Sequence, residues 1–225
     1  MIDLFRRFVR TVVPKSIRNQ HWFRVMRSRV LKHDDIYAGY YYTDIVEPHA
    51  LKAADTMADS LVTVFRPSSL IDVGCGTGAL LAALNKRDIN VMGLEYATDA
   101  LNISRKRGLT VERCDLRKSD YRTEKHYDLA VSLEVAEHLP HGSAVAYVKL
   151  LCRLAPIVVI TAAPPGQGGN GHINEQPREY WIDLFSAEGH VFDSDTSATL
   201  ANIWMKSGCV EDWYWRNLMV YRCPK

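Results

Sequence analysis

The chain has 225 residues, 47% of them hydrophobic, and its formal net charge at pH 7 is +2. This length suits one α/β domain with a modest extra element, and the apolar content excludes an intrinsically disordered chain. Five cysteines without C-x-x-C spacing argue against a disulfide framework and a thiolate zinc site. With no uncharged apolar run near the roughly 18 residues of a membrane helix, we expect a cytoplasmic protein.

The first 36 residues are predicted to form a basic arm that precedes a domain at residues 37–225. Residues 1–32 hold nine Lys and Arg against one acid, whereas acids exceed bases in the rest of the chain. An apolar stripe with the arginines off it is typical of an amphipathic helix: Leu4, Phe5, Phe8, Val9, Val12 and Val13. Packing on the domain or on a second copy in a homodimer is the simplest role for this arm. Peripheral contact with the inner face of a membrane and nucleic-acid binding are the alternatives.

Predicted helices and strands alternate along the rest of the chain. In chain order they are helix 48–65, strand 69–73, helix 79–85, strand 90–94, helix 99–107, strand 109–113, strand 127–133, helix 143–154, strand 157–161, helix 177–187 and the short strands 190–192 and 217–221. Near-continuous apolar strands between helices indicate a parallel sheet covered on both faces. We therefore predict an α/β, doubly wound, Rossmann-like fold with a seven-stranded, mostly parallel sheet and an N-terminal helical extension.

A glycine-rich turn follows the first strand, in Leu-Ile-Asp-Val-Gly-Cys-Gly-Thr-Gly at residues 70–78. Such a turn lets backbone N–H groups approach a ligand closely. Gly74, Gly76 and Ala79 also satisfy the dinucleotide fingerprint, so a nucleotide-binding oxidoreductase stays open here. Glu95 ends the second strand, where a carboxylate can accept both ribose hydroxyls of a nucleoside.

Two further segments follow the third and fourth strands. Asp115, in Cys-Asp-Leu, could accept the exocyclic amine of adenine or cap a helix. Residues 127–139 read Tyr-Asp-Leu-Ala-Val-Ser-Leu-Glu-Val-Ala-Glu-His-Leu. Together with the glycine turn and Glu95, these segments resemble class I methyltransferases and not dehydrogenases, over about residues 37–225.

The resemblance implies S-adenosyl-L-methionine as the cofactor and assigns a role to each matching position. The glycine turn would hold the methionine part of the cofactor. Glu95, at the end of the second strand, would bind the ribose. Asp115 and Leu116, after the third strand, would contact the adenine. Residues just past the fourth strand would line the cofactor. The cofactor-binding residues implied in this way are Asp72, Gly74, Gly76, Gly78, Glu95, Asp115, Leu116, Leu133 and Glu134.

The loop at residues 163–181, with Gly-His-Ile-Asn-Glu-Gln-Pro inside it, resembles small methyltransferases of glycan and natural-product pathways. The segment 213–221 is similar to the same group. This resemblance implies O-methylation of a hydroxyl on a sugar, glycan or related small metabolite. A methyltransferase acting on RNA or protein is the alternative that the basic arm suggests. No Asn-Pro-Pro-Tyr-type tetrapeptide for amino-group methylation follows the fourth strand, and nucleic acid is not the expected partner.

Methyl transfer to a hydroxyl requires a positioned oxygen and an acceptor for its proton. His172 lies in the glycine-rich loop, which could act as a lid, and a histidine suits proton transfer near neutral pH. The alternative role for His172 is a loop-stabilising hydrogen bond, and His138 is the second catalytic candidate. The other histidines are expected at the surface: His21, His33, His49, His126, His141 and His190. His172, Asn174 and Glu175 lack the spacing of a metal site, so no metal is predicted.

Overall fold

The computed structural model of this chain describes residues 42–118 and 121–224. The predicted basic arm, its boundary at residue 37, and Tyr37, Tyr40 and Tyr41 lie outside the described residues. Tyr42 is buried against Ala97 and Ala100. Among the described residues, no helix is long and apolar enough to span a membrane.

Seven strands form one sheet in the order β3-β2-β1-β4-β5-β7-β6. Their bounds are β1 Ser69–Val73, β2 Asn90–Glu95, β3 Val111–Arg113, β4 Leu129–Leu133, β5 Ile157–Thr161, β6 Val191–Phe192 and β7 Leu218–Arg222. The first five pair in parallel, whereas β7 runs antiparallel to both β5 and β6. The strand order reverses at β1 and β4, the position where doubly wound sheets bind ligands beyond the carboxyl ends of the strands. The predicted doubly wound, seven-stranded, mostly parallel sheet is confirmed, whereas the predicted N-terminal helical extension lies outside the described residues.

Helices cover both faces of this sheet. After a π-helical turn at Tyr42–Val46, they are α1 Glu47–Phe65, α2 Ala79–Asn85, α3 Thr98–Lys106, α4 Ala144–Leu154, α5 Arg178–Ala187, α6 Ser194–Ser207 and α7 Asp212–Arg216. Every predicted element is present with bounds that agree to within two residues. The sequence analysis missed α6 and α7. Helix α6 opens with polar and β-branched residues that obscure its periodicity, although Asp193 caps it by accepting from the Thr196 amide at 2.9 Å.

Side chains of alternate residues in the central strands pack into two apolar layers, one on each face of the sheet. Leu70 joins the layer formed with α1, α2 and α6, in which Trp204 is fully buried and donates to Ser60 Oγ at 2.8 Å. Ile71 joins the opposite layer, which α4 and α5 complete. His190 is buried with Nε2 at 3.3 Å from the Ala155 carbonyl, so its predicted surface position is wrong.

A buried hydroxyl pair fixes the carboxyl ends of β1 and β4 against each other. Ser132 Oγ donates to the Val73 carbonyl at 2.6 Å, and Tyr147 in α4 donates its hydroxyl to Ser132 Oγ at 2.7 Å. Val73, Ser132 and Tyr147 are all buried. Hydrogen bonds are stronger in the protein interior than in water, so these two bonds keep a fixed geometry. The turns that follow these two strands are therefore placed at a set separation.

Candidate active site

A cavity of about 590 Å³ opens at the carboxyl edge of the sheet. This volume lies in the usual range for small-molecule sites. The predicted site residues that line it are Gly74, Gly76, Glu95, Asp115, Leu116, Leu133, Glu134, His138 and His172. Asp72 and Gly78 do not line it, so their assignment to the cofactor stays a prediction. The fold thus brings together residues spread over about 100 positions of sequence.

The three glycines of the turn after β1 have positive φ angles but different surroundings. A Cβ at Gly74 would lie 2.5 Å from Val135 Cγ2, and one at Gly78 would lie 2.5 Å from Leu109 Cδ1. A Cβ at Gly76 would meet nothing within 4 Å. Gly74 and Gly78 are therefore required for close packing, whereas Gly76 borders open space at the cavity wall.

Glu95 is held at this wall by three backbone amides. Its Oε2 accepts from Gly76 at 2.9 Å, and its Oε1 accepts from Tyr96 at 2.7 Å and Ala97 at 2.8 Å. The carboxylate is nearly buried, and these charge-assisted bonds fix its orientation. The predicted ribose-binding acid is thus also the group that joins the ends of β1 and β2.

Asp72 lies behind the glycine turn with its carboxyl group buried. Burial, followed by repulsion from Glu95, raises the pKa of Asp72 from 3.8 to about 7. Its proton is therefore bound more tightly in the folded chain than in the unfolded one. A cationic ligand group placed near Asp72 would favour its ionised form.

Asp115 forms a two-point ion pair at the predicted adenine end. Arg117 donates Nε to Oδ1 at 2.7 Å and a terminal nitrogen to Oδ2 at 2.8 Å. This hydrogen bonding lowers the pKa of Asp115, so the carboxylate stays ionised. Residues 116–118 form a turn rather than a helix, and Arg117 stacks over the Tyr96 ring at 4.7 Å. Sequence analysis identified neither Tyr96 nor Arg117, because their roles depend on this stacking.

The two predicted catalytic histidines are neighbours. His138 ends a 3-10 turn, Ala136–His138, that follows β4, and its ring meets the His172 ring edge to face at a centroid distance of 4.9 Å. His172 is buried to 7% exposure, with Nδ1 at 3.0 Å from Glu175 Oε1. His49, expected at the surface, has a half-exposed side chain that also lines this cavity.

The glycine-rich loop after β5 is anchored by the residues around His172. Glu175 accepts the Gly166 amide at 2.9 Å and the Gly168 amide at 2.8 Å. The Glu137 carbonyl accepts the Ile173 amide at 2.9 Å and the Asn174 amide at 3.0 Å. These bonds tie the loop after β5 to the turn after β4, whereas its predicted motion as a lid is untested.

Glu134 has a strained backbone in a polar network that the sequence did not indicate. Its φ of 55° lies in the left-handed region, which costs a non-glycine residue on the order of 1 kcal/mol. Its two carboxylate oxygens accept from Asn217 at 3.1 Å and Gln167 at 3.3 Å, and Asn217 also donates to Gln167 at 2.9 Å. Three elements that are distant in sequence therefore meet at Glu134.

Glu137 is a further residue that the sequence analysis passed over. It is fully buried, and burial, followed by repulsion from Glu134, raises its pKa well above the usual value. The backbone amides of Glu137 and Ala163 act in the opposite direction but more weakly. In the segment Glu-Val-Ala-Glu-His, the sequence assigned the first acid, Glu134, to the cofactor and gave the second acid, Glu137, no role.

A methyltransferase-domain family model matches residues 71–153. The ubiquinone biosynthesis O-methyltransferase of Hydrogenovibrio crunogenus is 27% identical over 126 residues, 53% of this chain and 48% of that protein. The chain therefore spans about half the length of the curated relatives it matches.

Solved structures share the fold at low sequence identity. The sugar N-methyltransferase KedS8 from Streptoalloteichus is 15% identical with a TM-score of 0.59, and the match covers 77% of this chain and 88% of that one. The amino pentose methyltransferase CalS10 from Micromonospora echinaspora, solved with bound S-adenosylmethionine, is 18% identical with a TM-score of 0.58, over 91% and 97%. These matches show that the chain shares its fold with methyltransferases of known structure.

Replacing Gly76 by arginine should abolish binding of S-adenosylhomocysteine, because the new side chain would occupy the open space at the cavity wall. Gly108→Arg is the matched control, since its φ is also positive, its Cβ also meets nothing within 4 Å, and it does not line the cavity. Isothermal titration should show no binding for the first variant and unchanged affinity for the second. Equal affinity in both would refute the placement of the ligand at Gly76.

Asp72→Asn should change how stability depends on pH. Because the native carboxyl has a pKa of about 7 against 3.8 in the unfolded chain, it destabilises the fold progressively as pH rises between these values. The asparagine variant lacks this contribution and should be the more stable protein at pH 8, by on the order of 4 kcal/mol. Urea unfolding from pH 5 to pH 8 measures the difference, and parallel curves for both proteins would contradict the raised pKa.

Proposed function

We propose that this chain is a class I S-adenosylmethionine-dependent methyltransferase and that it methylates a hydroxyl oxygen of a small acceptor such as a sugar, glycan or related metabolite. The observation that carries this proposal is that His138 and His172 border the same cavity as Gly76 and Glu95. A site for proton handling thus adjoins the site for the methyl donor. The O-methyltransferase name of the curated relatives supports an oxygen as the methylated atom. The sugar N-methyltransferase KedS8 and the amino pentose methyltransferase CalS10 support a sugar as the acceptor, though not the choice of oxygen over nitrogen.

The cofactor half of the cavity suits a cationic nucleoside. The Gly76 backbone borders open space, and Glu95 presents a fixed carboxylate able to accept hydroxyl donors. Asp72 adds a buried carboxyl group behind the turn, and Asp115 an ionised one at the opposite end. When bound here, S-adenosylmethionine supplies an electrophilic methyl group on its sulfonium. The task of the remaining residues is to orient the acceptor and handle its proton.

The acceptor half combines aromatic faces with hydrogen-bonding groups. Trp213 and Tyr214 line the cavity together with Arg216 and Gln167. Aromatic faces pack well against the apolar faces of sugar rings, and the guanidinium and amide groups bind hydroxyls. This mixture supports a hydroxylated small molecule as the acceptor.

A hydroxyl is favoured over an amine because of the histidine pair. The sulfonium is already a strong electrophile, but a hydroxyl must lose its proton to complete the transfer. Glu175 accepts a hydrogen bond at His172 Nδ1 and so directs Nε2 of that ring away from itself. We assign activation of the acceptor hydroxyl to the His138–His172 pair.

Direct assay tests this proposal. The full chain would be incubated with methyl-labelled S-adenosylmethionine and parallel panels of sugars, sugar nucleotides, dihydroxylated aromatic rings and matched amino sugars. We expect label on an oxygen, located by mass spectrometry, with S-adenosylhomocysteine released in equal amount. Label on nitrogen alone, or on RNA or protein alone, would overturn the hydroxyl assignment and favour one of the alternatives.

The two roles that we propose for the basic arm, membrane contact and dimerisation, are tested by truncation. A chain lacking residues 1–32 should still bind S-adenosylhomocysteine, because the cofactor residues all follow Asp72 in sequence. Loss of salt-sensitive vesicle binding in this form supports the membrane role. Halving of its mass in solution supports the dimer.

His172→Ala should lower turnover by about 10²–10⁴-fold, the usual contribution of proton transfer by a positioned side chain. Its affinity for S-adenosylhomocysteine should barely change, because His172 lies on the acceptor side of the cavity. His126→Ala is the control, since His126 is exposed and away from the cavity. Steady-state rates and calorimetry on both variants provide the measurement. Wild-type turnover in His172→Ala would exclude this histidine and direct the same test to His138.

A further inference from the structure

Three potential metal ligands converge beside the acceptor half of the cavity. Glu137 and His138 come from the 3-10 turn after β4, and His172 comes from the loop after β5. One ligand atom from each residue lies within 4.8 Å of the other two. His138 and His172 also line the cavity, so the cluster borders the space available to an acceptor.

The carboxylate of this cluster has no partner that would explain its burial. Glu137 is completely buried, and neither of its carboxylate oxygens has a partner at good hydrogen-bond geometry among the described residues. The backbone amides of Glu137 and Ala163 act on it only weakly, and its acidic neighbour Glu134 repels its charge. Buried polar atoms are satisfied in the great majority of cases. Two unsatisfied oxygens on one side chain, placed beside two imidazoles, indicate a missing positively charged partner.

His172 is oriented in the way that metal-binding histidines are. A ligating imidazole commonly donates its other nitrogen to a carboxylate, which fixes the tautomer and the ring plane. Glu175 fills that role at 3.0 Å from Nδ1, so Nε2 is the nitrogen that points away from Glu175. Glu175 is itself fixed by the amides of Gly166 and Gly168.

The backbone holds the two halves of the cluster together without a metal. The carbonyl of Glu137 accepts the amides of Ile173 and Asn174, which follow His172 directly. At Gly169, a Cβ would lie only 2.2 Å from His172 Nε2, so the ring packs against bare backbone. The site is therefore shaped before any ion arrives.

We propose that Glu137, His138 and His172 bind a divalent transition-metal ion that receives the acceptor hydroxyl. Two imidazoles and one carboxylate suit Mn²⁺, Fe²⁺, Co²⁺ or Zn²⁺ better than Mg²⁺ or Ca²⁺, which prefer oxygen ligands alone. Three protein ligands leave coordination positions open for oxygen atoms of the acceptor. An acceptor with two adjacent oxygens would fill two of them.

This inference rests on the proposed function and specifies how the histidine pair activates the hydroxyl. Coordination lowers the pKa of the hydroxyl, so the O–H bond breaks and the proton passes to solvent. The oxygen then forms a bond to the methyl carbon while the methyl–sulfur bond breaks, and its electron pair remains on a neutral thioether. His172 is then a metal ligand rather than the general base expected from sequence.

The sequence analysis predicted no metal because it considered only His172, Asn174 and Glu175. The structure separates their roles, since Glu175 hydrogen-bonds the outer nitrogen of His172. The carboxylate ligand instead comes from Glu137, which lies 35 residues before His172 in the chain.

Metal binding can be measured without any acceptor. The full chain is stripped with a chelator and titrated with Mn²⁺, followed by electron paramagnetic resonance, and with Co²⁺, whose visible bands report nitrogen ligands. We expect one ion per chain, and at least a tenfold loss of affinity in Glu137→Gln and in His138→Ala. Glu175→Gln should weaken binding by about 10–100-fold, as for other residues that orient a ligand. His126→Ala should bind like the wild type.

Folding is monitored separately by thermal unfolding of the metal-free forms. Since glutamine keeps the shape of glutamate without its buried charge, metal-free Glu137→Gln should be at least as stable as metal-free wild type. A cobalt spectrum without nitrogen ligands, or equal affinity in wild type and all cluster variants, would overturn the site.

The metal inference and the proposed function fail in different ways. Methyl transfer at the full rate by chelator-stripped protein, with no ion found by elemental analysis, overturns the metal inference and leaves the hydroxyl assignment standing. Specific metal binding that the cluster variants abolish, with no transfer to any hydroxyl, supports the site and overturns the proposed function. Transfer that is lost on stripping and restored by Mn²⁺, Co²⁺ or Zn²⁺ supports both.

Discussion

The close approach of the glycine turn to the segment after β4 is the constraint on which the rest of the site depends. At Gly74 the backbone passes so near Val135 that a Cβ would lie 2.5 Å from its methyl group. The buried Ser132 hydroxyl, bonded to the Val73 carbonyl, sets the same separation from the strand side. A side chain at Gly74 would move the β4 segment outwards, and Glu134, Glu137 and His138 would move with it.

The sheet edge concentrates acidic groups that a cationic donor and a metal ion would compensate. Asp72, Glu95, Glu134 and Glu137 all lie at the ends of β1, β2 and β4, and three of them are buried. Glu95 is stabilised by backbone amides and Glu134 by Asn217 and Gln167. Asp72 and Glu137 instead have raised pKa values caused mainly by burial. The arrangement favours positively charged ligands over neutral ones.

Local sequence signals predicted the strands and most of the cavity wall. Strand residues are apolar over continuous runs, and the glycine turn and Glu95 follow their strands directly, so chain order alone places them at one edge. The features that the sequence did not predict depend on contacts between residues far apart in the chain. Asn217 reaches Glu134 across 83 positions, and His190 is buried because Phe185 and Ala155 surround it, which no local pattern records. The ligand role inferred for Glu137 depends likewise on a histidine in another loop.

The contact between Gly169 and His172 has a consequence for how this protein can change over evolutionary time. With the imidazole packed against the bare Cα of residue 169, no other amino acid fits there unless the ring moves. The two positions are thus expected to vary as a pair. Relatives that keep the histidine ring in this place should keep glycine at position 169, whereas relatives that replace the histidine can carry other residues there.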